Sequence, residues 1–218
     1  MIVIEGLDGS GKSTQIEILK NALQKQGKKI KQIKLPDYDS QSSALVKMYL
    51  AGEFGKTPQE VNAYAASTFY AVDRYANFMN KWKQDYESET LIIADRYTTS
   101  NAAHQMVKLP RGQWDEYLEW LEDIEYTKIG IPKPNLVIYL DMPIEISQKL
   151  MTSRYGGDEV KKDVHECNVE YLKSCRKAAL YATEKLGWKP VKCSQGESPR
   201  SIDEISKDIM NFVKLEVL

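Results

Sequence analysis

IVIEGLDGSGKST, residues Ile2–Thr14, sets a short β-branched run directly against G-x-x-x-x-G-K-S, Gly6 to Ser13, and the helical TQIEILKNAL follows. Strand, glycine-rich loop and helix in that order are what a polyphosphate cradle needs. Glycine lets successive backbone N–H groups curl around the anion, and the helix N-terminus adds a favourable dipole. Lys12 supplies a cation for the phosphates and the Ser13 hydroxyl a ligand for Mg²⁺. The segment Gly6, Leu7, Asp8, Gly9, Ser10, Gly11, Lys12, Ser13 and Thr14 is therefore the predicted nucleoside triphosphate site. The motif alone leaves open whether the chain hydrolyses, transfers or switches.

Four further apolar runs read as strands: IKQIKL (30–35), LIIAD (91–95), NLVIYLD (135–141) and KPVKC (189–193), with helical patterns between them. Continuous apolar runs alternating with helices predict an α/β fold, a five-stranded parallel sheet covered on both faces. Thr57, Pro58 and Glu60 carry the signature of a helix start near Pro58. Ser201 and Glu204 repeat the capping spacing before a last helix, whose Ile202, Ile205, Ile209 and Phe212 share one face. No linker, repeat or low-complexity tract divides the chain, so residues 1–218 read as one domain.

The 218 residues are 42% hydrophobic and 28% charged, with a net charge of -1, the composition of an ordinary globular domain. A pI near 6.2 gives no global attraction to nucleic acid or anionic membrane, so any polyanion must be held by a local cationic pocket. MIVIEG enters a strand at once without a signal peptide, and no run approaches membrane-span length. Cys167, Cys175 and Cys193 lack metal-ligand spacing, and His104 and His165 are the only histidines. The expectation is three reduced thiols in the cytoplasm and no structural zinc.

Asp-Arg-Tyr occurs twice, at Asp73 within a helical pattern and at Asp95 at the end of a strand, so the copies are not structural repeats. Ligands of open parallel sheets bind beyond the carboxyl ends of the strands. Asp95 should therefore emerge near the phosphate loop, placed to hold Mg²⁺ or its waters, with the Arg96 fork beside it for phosphate. An Asp–Arg pair tying a strand end to a helix is the plainer alternative.

Together, EGLDGSGKST, FYAVDRYAN and ADRYTTSNAAHQ resemble the thymidylate kinase family over essentially the whole chain. The resemblance implies a P-loop NTPase fold with a lid segment, Mg·ATP as donor, dTMP as acceptor, a role in dTTP supply, and a homodimer of packed helices. It implies that Asp95 is the metal-side carboxylate and Arg96 the acceptor-phosphate arginine. Ser100 and Asn101 line the nucleoside, and Asp8 reaches the acceptor's 3′-hydroxyl. Tyr70 and Arg74, at i and i+4 on one helical face, correspond to the ring that stacks on the base and the guanidinium that reaches it, while Tyr75 is expected to pack. Residues 152–165 resemble the mobile lid, with Arg154 as its catalytic cation. Lys161 and Lys162 read equally as lid cations or a solvated face, beside the flexible Gly156-Gly157.

Three positions depart from the family pattern. Gly9 stands where some members have a loop arginine. Asp37, in LPDYDS, stands where many have an arginine for the acceptor phosphate. His104 stands where relatives often have a tyrosine against the sugar's 2′ side. Two rival functions follow: a kinase of dUMP or a deoxynucleoside, and a regulatory P-loop module whose γ-phosphate orders a loop. A second nucleotide pocket argues against the module.

Overall fold

The computed structural model describes residues 1–154 and 169–217, with side chains from 152 to 154 left out. Five strands, β1 (Ile2–Glu5), β2 (Ile30–Lys34), β3 (Leu91–Asp95), β4 (Leu136–Asp141) and β5 (Lys189–Lys192), form one sheet in the order β2-β3-β1-β4-β5. Every pairing in it is parallel. Each predicted strand is found to within a residue or so at its ends. A two-residue antiparallel ladder, β6 (Ser194–Gln195) with β7 (Ser198–Pro199), follows β5; no alternating pattern announces so short a pair.

The pleat sorts the strand residues onto two cores. Ile2, Ile4, Ile93, Ile138 and Leu140 join Ile16, Leu19 and Leu23 of α1 (Lys12–Lys25) and Ile205, Ile209 and Val213 of α9 (Ile202–Glu216). Val3, Ile33, Ile92, Ala94, Val137 and Tyr139 face the other side. There they meet α5 (Thr99–His104), α6 (Trp114–Glu122) and α8 (Val169–Leu186). Trp82, beyond the end of α3 (Ala63–Asn77), packs into the same core. Burying each such aliphatic side chain is worth roughly 1.5–3 kcal/mol, so the alternation that builds the core also fixes which residues rise at each strand's carboxyl end. The remaining helices are α2 (Ala44–Leu50), α4 (Lys83–Glu87) and α7 (Ile144–Arg154). Among the described residues no helix is long and apolar enough to cross a membrane.

Local expectations differ in three places. Pro58–Glu60 is one 3₁₀ turn. Val61 leaves it in extended backbone, and α3 starts at Ala63 under an Asn62 cap that accepts from Tyr64 and Ala65 N–H. Glu60 instead accepts from Lys56 N and the Thr57 hydroxyl, both at 3.0 Å, stitching the loop rather than starting a helix. The Ser201–Glu204 capping box is present in both directions, but Ile202 is 53% exposed and Val213 completes the buried stripe. Tyr75 is 45% exposed rather than packed.

Candidate active site

The phosphate loop is shaped by glycine where no other residue fits. Gly11 (φ 88°) is the N-cap of α1, and Gly9 (φ 77°) runs so close to α7 that an added Cβ would lie 2.6 Å from the Ser147 carbonyl oxygen. A loop arginine at position 9 is thus excluded by the backbone itself. Lys12 is buried and folds back, donating to the Gly6 carbonyl (2.8 Å) and the Leu7 carbonyl (3.1 Å). Burial and the neighbouring Arg96 lower its pKa, against the pull of Asp8 and Asp95.

Asp95 rises from the end of β3 on the α1 face, where the register sets Ile4 of β1 on one side and Lys34 of β2 on the other. It is 5% exposed, and its carboxylate accepts no hydrogen bond from a described side chain while lining the loop cavity. With the exposed Ser13 it offers the small oxygen set that suits Mg²⁺, which keeps waters and phosphate oxygens as its other ligands. Among the described residues no group of three or more His, Cys, Asp or Glu could hold a metal by itself.

Arg96 adopts φ 67°, a left-handed backbone that costs a non-glycine residue about 1–3 kcal/mol. Its own N–H bonds the Ile4 carbonyl at 3.2 Å. Its guanidinium meets Asp8 (2.7 Å), Ser100 (3.3 Å) and Glu5 (3.4 Å). Desolvation alone would raise the Asp8 pKa, but Arg96 and Lys12 outweigh it and hold the carboxyl well below its ordinary value. Glu5, fully buried, also accepts from Thr99 (2.6 Å), Ser100 (2.7 Å) and the Gly6 N–H (2.8 Å). Sequence reading missed Glu5; a carboxylate closing an otherwise apolar strand was the available signal.

Of the predicted acceptor residues, Asp8 and Arg96 line the same cavity as Asp95, while Ser100, Asn101 and His104 lie on α5, which packs on the opposite face of the sheet. Asn101 donates to the Ser67 carbonyl (3.4 Å), and the His104 carbonyl accepts from Tyr171 Oη (2.5 Å). The Tyr70 ring stands edge-on to Tyr49, centroids 6.4 Å apart. Arg74 is only 2% exposed. Through Nε and Nη2 it is joined to the buried carboxylate of Glu125, and Nη1 donates to the Tyr97 carbonyl at 3.3 Å. Three of its five N–H groups are so committed, which leaves two. Glu125 was also missed; it continues the buried stripe of Tyr117, Leu118 and Leu121, and an acid on a core stripe requires a buried cation. Asp37 has a partner of its own, accepting from Lys81 (2.5 Å) and Asn77 (2.9 Å). These hydrogen bonds lower its pKa against modest desolvation. Residues 155–168, which hold most of the expected lid (152–165) with Lys161 and Lys162, lie outside the described residues, as does the Arg154 side chain.

A cavity of about 700 Å³ runs from the phosphate loop past Asp95 and Arg96 at one end to Met142, Leu150, Met151, Pro199 and Ile202 at the other. The apolar end was not foreseen, because its walls come from three separate segments. A parallel sheet with a glycine-rich loop after β1 and charged groups at the ends of β1 and β3 defines a P-loop NTPase fold. A family model for thymidylate kinase matches residues 4–205. The chain belongs to the thymidylate kinase family. It is 30% identical over 191 residues to the thymidylate kinase of Mycobacterium tuberculosis, covering 86% of this chain and 87% of that one. It is 30% identical over 219 residues to a probable thymidylate kinase of Thermococcus gammatolerans, covering 100% and 97%. The solved thymidylate kinase of Candida albicans shares the fold, with a TM-score of 0.69 at 23% identity over 98% of this chain and 90% of that one.

Proposed function

We propose that the chain transfers the γ-phosphoryl group of ATP to dTMP, giving dTDP and ADP. The observation that carries the reading is the position of Arg96, whose guanidinium spans from Asp8 in the phosphate loop to Ser100 on the acceptor helix. One cation thereby stands where two nucleotides would meet. The apolar cavity end suits the adenine, and loop backbone and Lys12 the polyphosphate. Ser13 and Asp95 would hold Mg²⁺, which supplies neutralisation of charge on the phosphate oxygens when bound. Tyr70, Arg74, Asn101 and His104 address the base and sugar of dTMP, and Asp8 the 3′-hydroxyl.

Lys12 and Arg96 now hold protein oxygens that phosphate oxygens can replace, so binding exchanges one set of acceptors for another. Catalysis is alignment plus electrostatic stabilisation, with no covalent intermediate. Arg154 is assigned to the lid as the cation that meets the transferring group on closure. The chain acts as one domain, with residues 152–165 as that lid. Exposed Val72, Tyr75 and Met79 on and just beyond α3 support a homodimer through that face, and the free, buried Cys175 and Cys193 fit the cytoplasm.

The test is ADP release measured with dTMP, dUMP, thymidine or no acceptor. The highest kcat/KM is expected with dTMP. Faster turnover of thymidine would assign a nucleoside kinase, and acceptor-independent hydrolysis a switch.

A further inference from the structure

Alternation along β2 places Ile30, Gln32 and Lys34 on the α1 face of the sheet. Ile30 packs against the α1–α9 core, and Gln32 accepts from Lys20 of α1 at 3.0 Å. Ile33 and Leu35 are buried on the other side. Register then sets Lys34 directly beside Asp95, and Lys34 lines the same cavity as the phosphate loop.

The other described cations of that cavity are engaged. Lys12 is held by loop carbonyls, Arg96 by Asp8 and Glu5, and Arg200 by the Lys192 carbonyl and Asp208. Lys34 makes no hydrogen bond or ion pair with any described residue. Strand order gives the cavity a direction: apolar end at β4 and β5, phosphate loop at β1, then Asp95 on β3 and Lys34 on β2. With strands about 4.8 Å apart, Lys34 stands two strand steps beyond the loop strand. From there its flexible four-carbon stem commands the far end of the cavity and not the apolar one.

We propose that Lys34 is a donor-phosphate residue whose ammonium binds a non-bridging oxygen of the γ-phosphoryl group of ATP. This rests on the reading that the cavity takes ATP. A group seated beyond Asp95 touches the terminal phosphate and nothing nearer the ribose, so it distinguishes the triphosphate from the diphosphate. It also adds positive charge at the transfer end, to which Gly9 contributes none.

The experiment is equilibrium binding of ATP and of ADP, without acceptor, to wild type, Lys34→Met and Lys34→Arg. Methionine keeps the stem and removes the charge. Lys34→Met is expected to weaken ATP about tenfold or more, the loss of one charge-assisted hydrogen bond, and to leave ADP within roughly twofold. Lys34→Arg should recover most of the ATP affinity. Equal losses for both nucleotides, or none for either, would overturn the assignment. Should Lys34→Met fail to fold, mass spectrometry of wild-type acetylation reads the same contact. ATP must protect Lys34 and ADP must not; equal protection sinks the proposal. Wild type that binds no ATP removes the functional reading itself, a result distinct from wild type that binds ATP without help from Lys34.

Discussion

The donor end and the acceptor wall meet at Arg96 but are built in opposite ways. Nine consecutive residues and the end of one strand make the phosphate site, and its side chains are held mainly by loop backbone and by one another. Lys12 rests on two carbonyls and Asp8 stays half-exposed. The acceptor wall is gathered from α3, α5 and the segment Asp123–Lys128, and its charges are sealed in the core: Arg74 on Glu125, with Tyr97 above. The comparison teaches that, on the proposed reading, donor chemistry can be altered here without touching the fold, whereas acceptor recognition and stability become one problem.

The largest effect should therefore fall on the acceptor side. Glu125→Gln keeps the shape of the side chain and leaves the Arg74 charge without a partner in the core. Breaking one half of a buried pair costs about 3–5 kcal/mol. Urea unfolding should show that loss together with a raised KM for dTMP. A variant as stable as wild type would break the comparison at its base.

Next comes the donor side, where the loss should be catalytic alone. Lys12→Ala is expected to lower kcat by on the order of 10²–10³-fold, the scale for removing one preorganised donor from a developing charge. Stability should hold or rise, since the lysine's charge is now desolvated by burial. Steady-state kinetics and thermal unfolding of the same preparation decide it. A destabilised Lys12→Ala would mean that the two ends are not as separable as their construction implies.

That asymmetry also governs what could be read in advance. The phosphate loop, Asp95 and the five strands are local in sequence; a glycine-lysine motif located the first and continuous apolar runs the rest. The Ser201 capping box was legible for the same reason. Near Thr57 the same spelling misled, because Glu60 bonds the loop before it and Val61 is extended. Glu125 and Glu5 escaped because their side-chain partners lie 51 and 91 or more residues away. The pairing of Asp37 with Lys81 crosses 44 residues. Only packing brings such groups together, and no spacing rule encodes it.

A third effect is smaller and lies away from the acceptor wall, at a cap between Arg200 and Ile202 of the donor cavity. Ser201→Ala removes the oxygen that accepts from Glu204 N–H at 3.3 Å and meets its carboxylate at 2.7 Å. Loss of such a cap costs about 1 kcal/mol. Urea unfolding should find that loss with unchanged KM for dTMP. A shift in KM would show that stability anywhere feeds the acceptor site, and the special standing of the Arg74–Glu125 pair would go.

The last effect is a slope rather than a loss, and it asks whether other acceptor-side charges carry a cost. Lys108 follows α5, donates to Tyr49 Oη (2.8 Å) and the Val61 carbonyl (3.1 Å), and lies 4.8 Å from the Tyr49 ring centre. Burial pushes its pKa down to about 7, against an opposing pull from Cys175. Cys175 is itself pushed up to about 12 by burial and stays a thiol. A neutral amine keeps two N–H groups, enough for both acceptors. Between about pH 7 and the unfolded value of 10.5, the folded state binds fewer protons at Lys108 than the unfolded state. Its contribution to stability therefore rises with pH across that window, and below pH 7 the cost of the buried charge is fully present. Lys108→Met removes the titration, while groups that do not touch Lys108 titrate equally in both proteins and cancel in the difference. Urea unfolding from pH 7 to pH 10 should show wild type gaining on Lys108→Met as pH rises. A flat difference would return Lys108 to an ordinary surface lysine, and a falling one would require an anion at its side rather than the neutral Tyr49 hydroxyl.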